Sequence, residues 1–360
     1  MFMLKPIFIT GRFRSGSTLL WNLFRSIPEC KAFYEPCNDL LLDHIDCNTP
    51  PQPSHVGVSS YWDEYHPIIA ELRNRHKIEF GFKNLYLEAD DHCEEFEDYI
   101  RFLVESCGTL QPVLQFNRVD FRLPWLRKKF PDAAIIHLYR NPRDQWYSMV
   151  QALPPEAWFD PGVNTDYDLI IWSCSLAPVL PFLFGEHVKT LYHRHYLIWK
   201  LSKIAGISNS DMSIDFDNEL IASPVGTIRE LLRASGIEAD VDRLSALVVK
   251  PETGKWRTVR DEGWFEKAEA ECDDLLEKLS LIQYFGRKPI DSIRKKSSRS
   301  WEKYVDGASR AAIDNALSLF CKLRSSHIQL GYNSRTAISC YQERLDYIAA
   351  ASDLKVPLIK

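Results

Sequence analysis

The chain has 360 residues, 45% of them hydrophobic and 12% aromatic, enough apolar material for one large domain or a domain with an appendage rather than a string of modules. A formal charge of −5 excludes the overall basic field that draws nucleic acid, so cationic sites must be local. The nine cysteines form no C-x-x-C pair and offer no metal-ligand spacing; they read as reduced, partly buried thiols.

Residues 6–10, PIFIT, are a short run rich in β-branched residues and predict a buried strand. GRFRSGST follows at 11–18. Gly11, Gly16 and Thr18 fall on the spacing of a nucleotide-triphosphate loop, G-x-x-x-x-G-K-[ST], but Ser17 stands where the lysine belongs. The nearby cations are Arg12 and Arg14. Leu19, Leu20, Leu23, Phe24 and Ile27 then recur at helical spacing until Pro28. A turn from strand to helix presents backbone N–H groups at the positive end of the helix, a general anion site.

Further strands are predicted at IEFGF (78–82), PVLQF (112–116), AAIIHLY (133–139) and MSIDF (212–216). Helical sequence separates most of them, including HCEEFEDYIRFLVESC and TIRELLRASG. This alternation predicts an α/β fold with a mostly parallel sheet covered on both faces. Ligands in such sheets sit at the carboxyl ends of the strands, here the loop after PIFIT, the Lys83 region and RNPRD after Tyr139. Two irregular stretches, 48–67 and 153–172, are rich in proline and aromatics and read as connections or lids. His193 and His195, in YHRHYLIWK, stand two apart and find no third ligand, so they read as structural or acceptor-lining. From residue 286 onward the sequence predicts a C-terminal helical extension to a domain covering 1–285. No apolar run has the length to span a bilayer and nothing resembles a secretory leader, so a cytoplasmic protein without nucleic-acid or metal partners is expected.

The run FRSGSTLLWNLF resembles the 5′-phosphosulfate loop of the sulfotransferases, enzymes that use 3′-phosphoadenosine 5′-phosphosulfate (PAPS) and release adenosine 3′,5′-bisphosphate. The resemblance implies their P-loop-like sulfotransferase fold. It places Arg14 on the transferring sulfuryl group and wraps Ser15, Gly16, Ser17, Thr18 and Leu19 around the 5′-phosphate. YRNPRDQWYS at 139–148 is similar to a second family motif, in which an arginine ending a strand and a serine eight residues on hold the 3′-phosphate; Arg140 and Ser148 match that spacing. A dianionic phosphate wants a guanidinium fork and hydroxyl donors, so the chemistry agrees. The resemblance covers roughly residues 5–280. KPETGKWR (250–257) resembles the late segment that covers the nucleotide, making Lys255 and Arg257 candidates. RKKSSRSW (294–301) competes for that role, and each segment also reads as a solvated face. The R-K-G-x-x-G motif of the cytosolic small-molecule enzymes is absent.

Transfer to a hydroxyl needs a general base. Glu35 in AFYEPCNDL is similar to the glutamate that family members acting on tyrosine or carbohydrate carry after the first helix. A branch using a K-T-H histidine differs here, where FGFKNLY has Asn84. Lys83 is a candidate cation near the sulfuryl oxygens. Asn117 and Arg118, ending PVLQF, contact acceptor or donor or merely pin the sheet edge. The expected acceptor is a carbohydrate or another small metabolite. A P-loop kinase or NTPase with a variant loop stays open, against the missing lysine and the lack of a strand-borne aspartate for magnesium. So does a nucleotide-binding protein without turnover.

Overall fold

A computed structural model describes residues 4–286 apart from 152, 161–168, 177–178 and 185–186. The basic run 294–301 and the proposed extension from 286 therefore lie almost wholly outside the described residues. The chain opens with β1 (Ile7–Thr10), α1 (Ser17–Arg25) and β2 (Cys30–Tyr34), followed by α2 (Leu41–Asp46), α3 (Ile69–Arg75) and α4 (Glu94–Glu105). Then come β3 (Gln111–Phe116), α5 (Leu123–Lys129), β4 (Ala134–Tyr139), α6 (Pro142–Val150), α7 (Leu169–Leu176) and α8 (Leu191–Asn209). The described part closes with β5 (Met212–Asp215), α9 (Pro224–Ser235), α10 (Val241–Ser245), α11 (Glu262–Lys278) and α12 (Leu281–Phe285).

The sheet is five-stranded and entirely parallel, in the order β2-β3-β1-β4-β5. β1 is central: Ile7, Phe8, Ile9 and Thr10 are all fully buried, as the continuous apolar run predicts for a strand covered on both faces. From β1 the chain leaves through α1 toward β2 on one side. From β4 it leaves toward β5 on the other. Neighbouring strands whose connections diverge open a crevice at their carboxyl ends. The loop Gly11–Gly16 and the residues after Tyr139 both reach that crevice.

α1 is held by its apolar face. Leu20, Trp21, Leu23 and Phe24 are buried against the sheet, and each such side chain contributes about 1.5–3 kcal/mol. α6 is set at its start, where Asn141 Oδ1 accepts from the N–H groups of Arg143 and Asp144 and Pro142 occupies the first turn. Its buried face, Trp146, Met149 and Val150, packs with α8 and α11 in a second apolar cluster beside the main core.

One expectation needs correction. IEFGF is not a strand: Ile78–Gly81 form a 3-10 turn. The Glu79 carbonyl takes the N–H groups of both Phe82 and Lys83, so the backbone is satisfied locally. A Cβ on Gly81 would stand 3.0 Å from the Cys37 carbonyl, so the segment is pressed against the 37–39 turn. The sheet position is taken instead by CKAFY, β2, which the sequence reading passed over. The pair His193/His195 lies on a helix, α8.

A candidate donor and transfer site at the sheet switch point

Gly16 begins α1 at φ 94°, and no side chain caps the helix. The Ser17 and Thr18 N–H groups are thus orphan donors of the kind an anion satisfies, whereas those of Leu19 and Leu20 bond the Gly16 carbonyl at 3.0 and 3.3 Å. Phe216 packs directly behind the glycine: a Cβ on Gly16 would meet its ring carbons at 2.2 and 2.3 Å. Ser15 is fully buried beneath the loop and Ser17 nearly so, while Leu19 packs partly on the core. Thr18 Oγ1 is 3.0 Å from the Tyr34 hydroxyl.

Arg14 sits in the left-handed region, φ 63°. Nε donates to Ser148 Oγ at 2.7 Å and Nη1 to Gln52 Oε1 at 3.0 Å. The two motifs, 134 residues apart at this bond, are therefore brought together. Arg140, at the end of β4, has Nε 3.4 Å from Asp217 Oδ1, and its guanidinium lies 5.0 Å over the Phe216 ring. Phe216 thus supports both the glycine of the loop and the arginine of the second motif.

Glu35 stands at the carboxyl end of β2, φ 44°. One carboxylate oxygen, Oε2, accepts from Asn38 Nδ2 at 3.1 Å and lies 3.5 Å from Arg118 Nη1. Arg118 also reaches Asp39 Oδ1 at 3.4 Å and Asn117 Oδ1 at 2.9 Å, and stacks 4.7 Å over Phe13 of the loop. Arg118 therefore joins Glu35 to the loop. Burial, with the Glu35 charge beside it, holds the Tyr34 phenol well above its ordinary value, so Tyr34 stays a neutral hydrogen-bonding group.

Lys83 follows the 3-10 turn, not a strand end as expected. It is half-buried, its carbonyl accepts from the Arg122 guanidinium, and its ammonium makes no ion pair among the described residues. Lys255 and Arg257 lie on the short turn Lys255–Thr258, which the Gly254 N–H ties to Asp144 Oδ1 of α6 at 2.7 Å. The late segment is thus seated on the helix that carries Ser148. Lys255 is exposed and paired with Glu252 at 2.7 Å; Arg257 is exposed and stacked 4.3 Å over Trp256.

No local motif marks Asp120, and Arg12 stands out in the sequence only as a cation near the loop. Asp120 is buried beyond β3 and accepts from Thr10 Oγ1 at 2.7 Å. Arg12 is buried over the Trp172 ring at 4.0 Å; burial lowers it to about 10, the Asp120 charge opposes that, and the Arg118 charge adds to it. These partners lie as many as 110 residues apart, so no local pattern reveals them. The 48–67 stretch is packed down rather than free: Tyr61 stacks on Tyr34 at 4.4 Å, Trp62 on His44 at 5.3 Å, and Arg25 bridges to Asp63 and Glu64 at 2.8 and 2.7 Å. His193 and His195 do not converge on a common point. His193 bonds Thr190 Oγ1 at 2.8 Å, while His195 Nε2 meets the Pro142 carbonyl at 2.9 Å and is pushed down by burial to about 3.

The fold and these features define an α/β protein with a glycine loop and an uncapped helix start at its sheet switch point. Residues 6–173 match the model of the sulfotransferase family. That span takes in the loop at 11–18, the stretch YRNPRDQWYS at 139–148 and Glu35. No curated protein matches the chain. Among the described residues no helix is long and apolar enough to cross a membrane.

Proposed function

We propose that the protein is a sulfotransferase that moves the sulfuryl group of PAPS to an acceptor hydroxyl, with Glu35 as general base. The observation that carries this reading is the junction between loop and base. Thr18, on the first turn of α1, bonds Tyr34, and the next residue is Glu35, whose carboxylate meets the guanidinium stacked on the loop. Two elements that transfer chemistry needs side by side are held side by side.

In this reading the N–H groups of the α1 start and the Thr18 hydroxyl hold the 5′-phosphate. The acceptor oxygen bonds to sulfur as the bond between sulfur and the phosphate oxygen breaks. The electron pair leaves on the 5′-phosphate, giving adenosine 3′,5′-bisphosphate, and the acceptor proton passes to Glu35. Arg14 and Lys83 offset the charge that develops on the sulfuryl and bridging oxygens, where positioned cations contribute most. Arg140 and Ser148 hold the 3′-phosphate. Arg14 bonds Ser148 in this structure, so donor binding must swing the Arg14 guanidinium from Ser148 toward the 5′ end. The acceptor is a carbohydrate or another hydroxyl-bearing small molecule, and the reaction needs no metal.

The test is transfer from labelled PAPS to a panel of sugars and phenols. Wild type transfers label; Glu35→Gln binds adenosine 3′,5′-bisphosphate normally yet loses about 100-fold or more in turnover, the scale of a positioned base. Arg140→Ala loses donor affinity. A turnover-competent Glu35→Gln would refute the base, and an Arg140→Ala variant with normal donor affinity would refute the donor site.

A further inference from the structure

Glu35 shares its guanidinium. Arg118 reaches Glu35 Oε2 with Nη1 at 3.5 Å and Asp39 Oδ1 with Nη2 at 3.4 Å, so one fork spans two carboxylates. Both contacts are long against the roughly 2.7–2.9 Å of a tight charge-assisted bond. The shortest bond Arg118 makes to a side chain is to a neutral group, Asn117 Oδ1 at 2.9 Å, and its other support is the Phe13 ring, 4.7 Å from Cζ. Amide and ring therefore hold the guanidinium between the two acids without either acid closing on it. Burial weights the division: the Asp39 side chain is 3% exposed and that of Glu35 13%. A charge as deeply buried as Asp39 needs a cation, and the attraction is stronger the drier the pair.

The backbone fixes the two acids relative to each other. The Asn38 N–H bonds the Glu35 carbonyl at 2.8 Å, and Asn38 Nδ2 bonds Glu35 Oε2 at 3.1 Å, which closes the turn between them. On the far side the 3-10 turn presses in, since a Cβ on Gly81 would stand 3.1 Å from Asp39 Cβ. The other titratable groups around the pair are neutral near neutral pH. Burial holds the Cys37 thiol up at about 11 and the His76 imidazole down at about 4. The Tyr34, Tyr61 and Tyr65 phenols, raised chiefly by burial, stay protonated. The nearby cations are engaged elsewhere: Arg122 donates to the carbonyls of Phe80, Lys83 and Asn84, and Arg14 to Ser148 and Gln52. Arg118 is thus the cation that meets both acids.

We propose that Asp39 is a positioning residue: by taking one end of the Arg118 fork it keeps that cation from closing on Glu35, and so leaves the Glu35 carboxylate basic enough to take the acceptor proton. An arginine that closes on a carboxylate holds it in the charged form and costs it about one to three pH units of basicity. A base weakened in that way takes up the acceptor proton less readily in the transition state. The negative charge of Asp39 acts on Glu35 in the same direction as its hold on Arg118, since a like charge nearby favours proton uptake. The proposal rests on the reading of Glu35 as general base, and deepens it by naming the residue that tunes that base through Arg118.

The experiment follows the Glu35 carboxyl directly, by carbon NMR of the full chain labelled at the glutamate side-chain carboxyl, with Glu35→Gln identifying its signal. Asp39→Asn keeps the shape of the side chain and an oxygen for Nη2 but gives up the charge. Arg118 then weighs on Glu35, whose titration midpoint falls by about one pH unit or more. Asp39→Asn/Arg118→Gln removes both charges together and returns the midpoint to within about half a unit of wild type, because the two influences offset each other. The double variant leaves no unpaired buried charge, so it remains informative if Asp39→Asn does not fold. A merely structural Asp39 would lower stability and leave the midpoint where it is. An unmoved midpoint in Asp39→Asn, or a rise of about one unit or more in the double variant, overturns the division of the fork. Loss of PAPS-dependent transfer in Glu35→Gln beside an unmoved midpoint overturns the role of Asp39 and leaves the base reading standing. Undiminished transfer in Glu35→Gln overturns the base reading, and with it the purpose assigned to Asp39.

Discussion

Gly16→Ala is the sharpest perturbation of the candidate site. The residue sits at φ 94°, where an L side chain costs about 1–2 kcal/mol. Its new Cβ would meet Phe216 at 2.2 Å, so the ring must retreat by more than an ångström. Phe216 is only 4% exposed and has little room, and overpacking of this kind costs about 1–3 kcal/mol. Together the loss is about 2–5 kcal/mol, read as a lower urea midpoint at unchanged slope. Because Arg140 stacks on the same ring, the retreat also displaces Arg140, and under the proposed function affinity for adenosine 3′,5′-bisphosphate falls with stability. Phe216→Leu in the Gly16→Ala background recovers the packing part and leaves the conformational part. A Gly16→Ala protein within about 0.5 kcal/mol of wild type would refute the argument that the loop is braced from behind.

Three buried histidines make the fold acid-labile. Burial lowers His76 and His137 to about 4 and His195 to about 3, from an ordinary value near 6.5. The unfolded chain therefore takes up these protons first. Stability is complete above pH ~6.5 and falls as pH drops through 6.5 toward 4, by up to about 1.4 kcal/mol per pH unit for each group. Urea midpoints at pH 7, 6 and 5 measure this, and a flat profile contradicts it. Thr10→Val strips the buried Asp120 carboxylate of its 2.7 Å hydroxyl donor and costs about 1–3 kcal/mol in the same assay, whereas an exchange of no consequence would mean that Asp120 finds another partner.

What was legible in the sequence was what is local. The run PIFIT, the glycine loop and the helix after it fall where their residue types require, as do AAIIHLY, the Asn-Pro turn and the helix start behind it. Hydrophobic runs and turn residues act over a few positions, and the parallel sheet follows from their alternation. β2 was missed because CKAFY, with one lysine, one cysteine and a terminal tyrosine, lacks a long apolar run. It is a strand because the open edge of β3 pairs with it in register, Cys30 with Gln111 through Tyr34 with Gln115. IEFGF carries strand-like alternation, but its backbone closes on Glu79 instead. The site divided the same way. Resemblance to sulfotransferase motifs, carried by a few neighbouring residues each, singled out Arg14, Glu35, Arg140 and Ser148. The bond from Arg14 to Ser148, the Arg118 bridge between Glu35 and Asp39, and the stack on Trp256 come from tertiary packing across long separations, and no local pattern encodes them.

The central claim is that the crevice between β1 and β4 takes a nucleotide with phosphates at both the 5′ and the 3′ positions. Calorimetric titration of the full chain with adenosine 3′,5′-bisphosphate, adenosine 5′-monophosphate and magnesium-ATP measures it most directly. The account predicts that the bisphosphate binds at least about tenfold more tightly than either of the others, the scale of one charge-assisted bond. Equal or tighter binding of magnesium-ATP would contradict it and move the loop to phosphoryl-transfer chemistry.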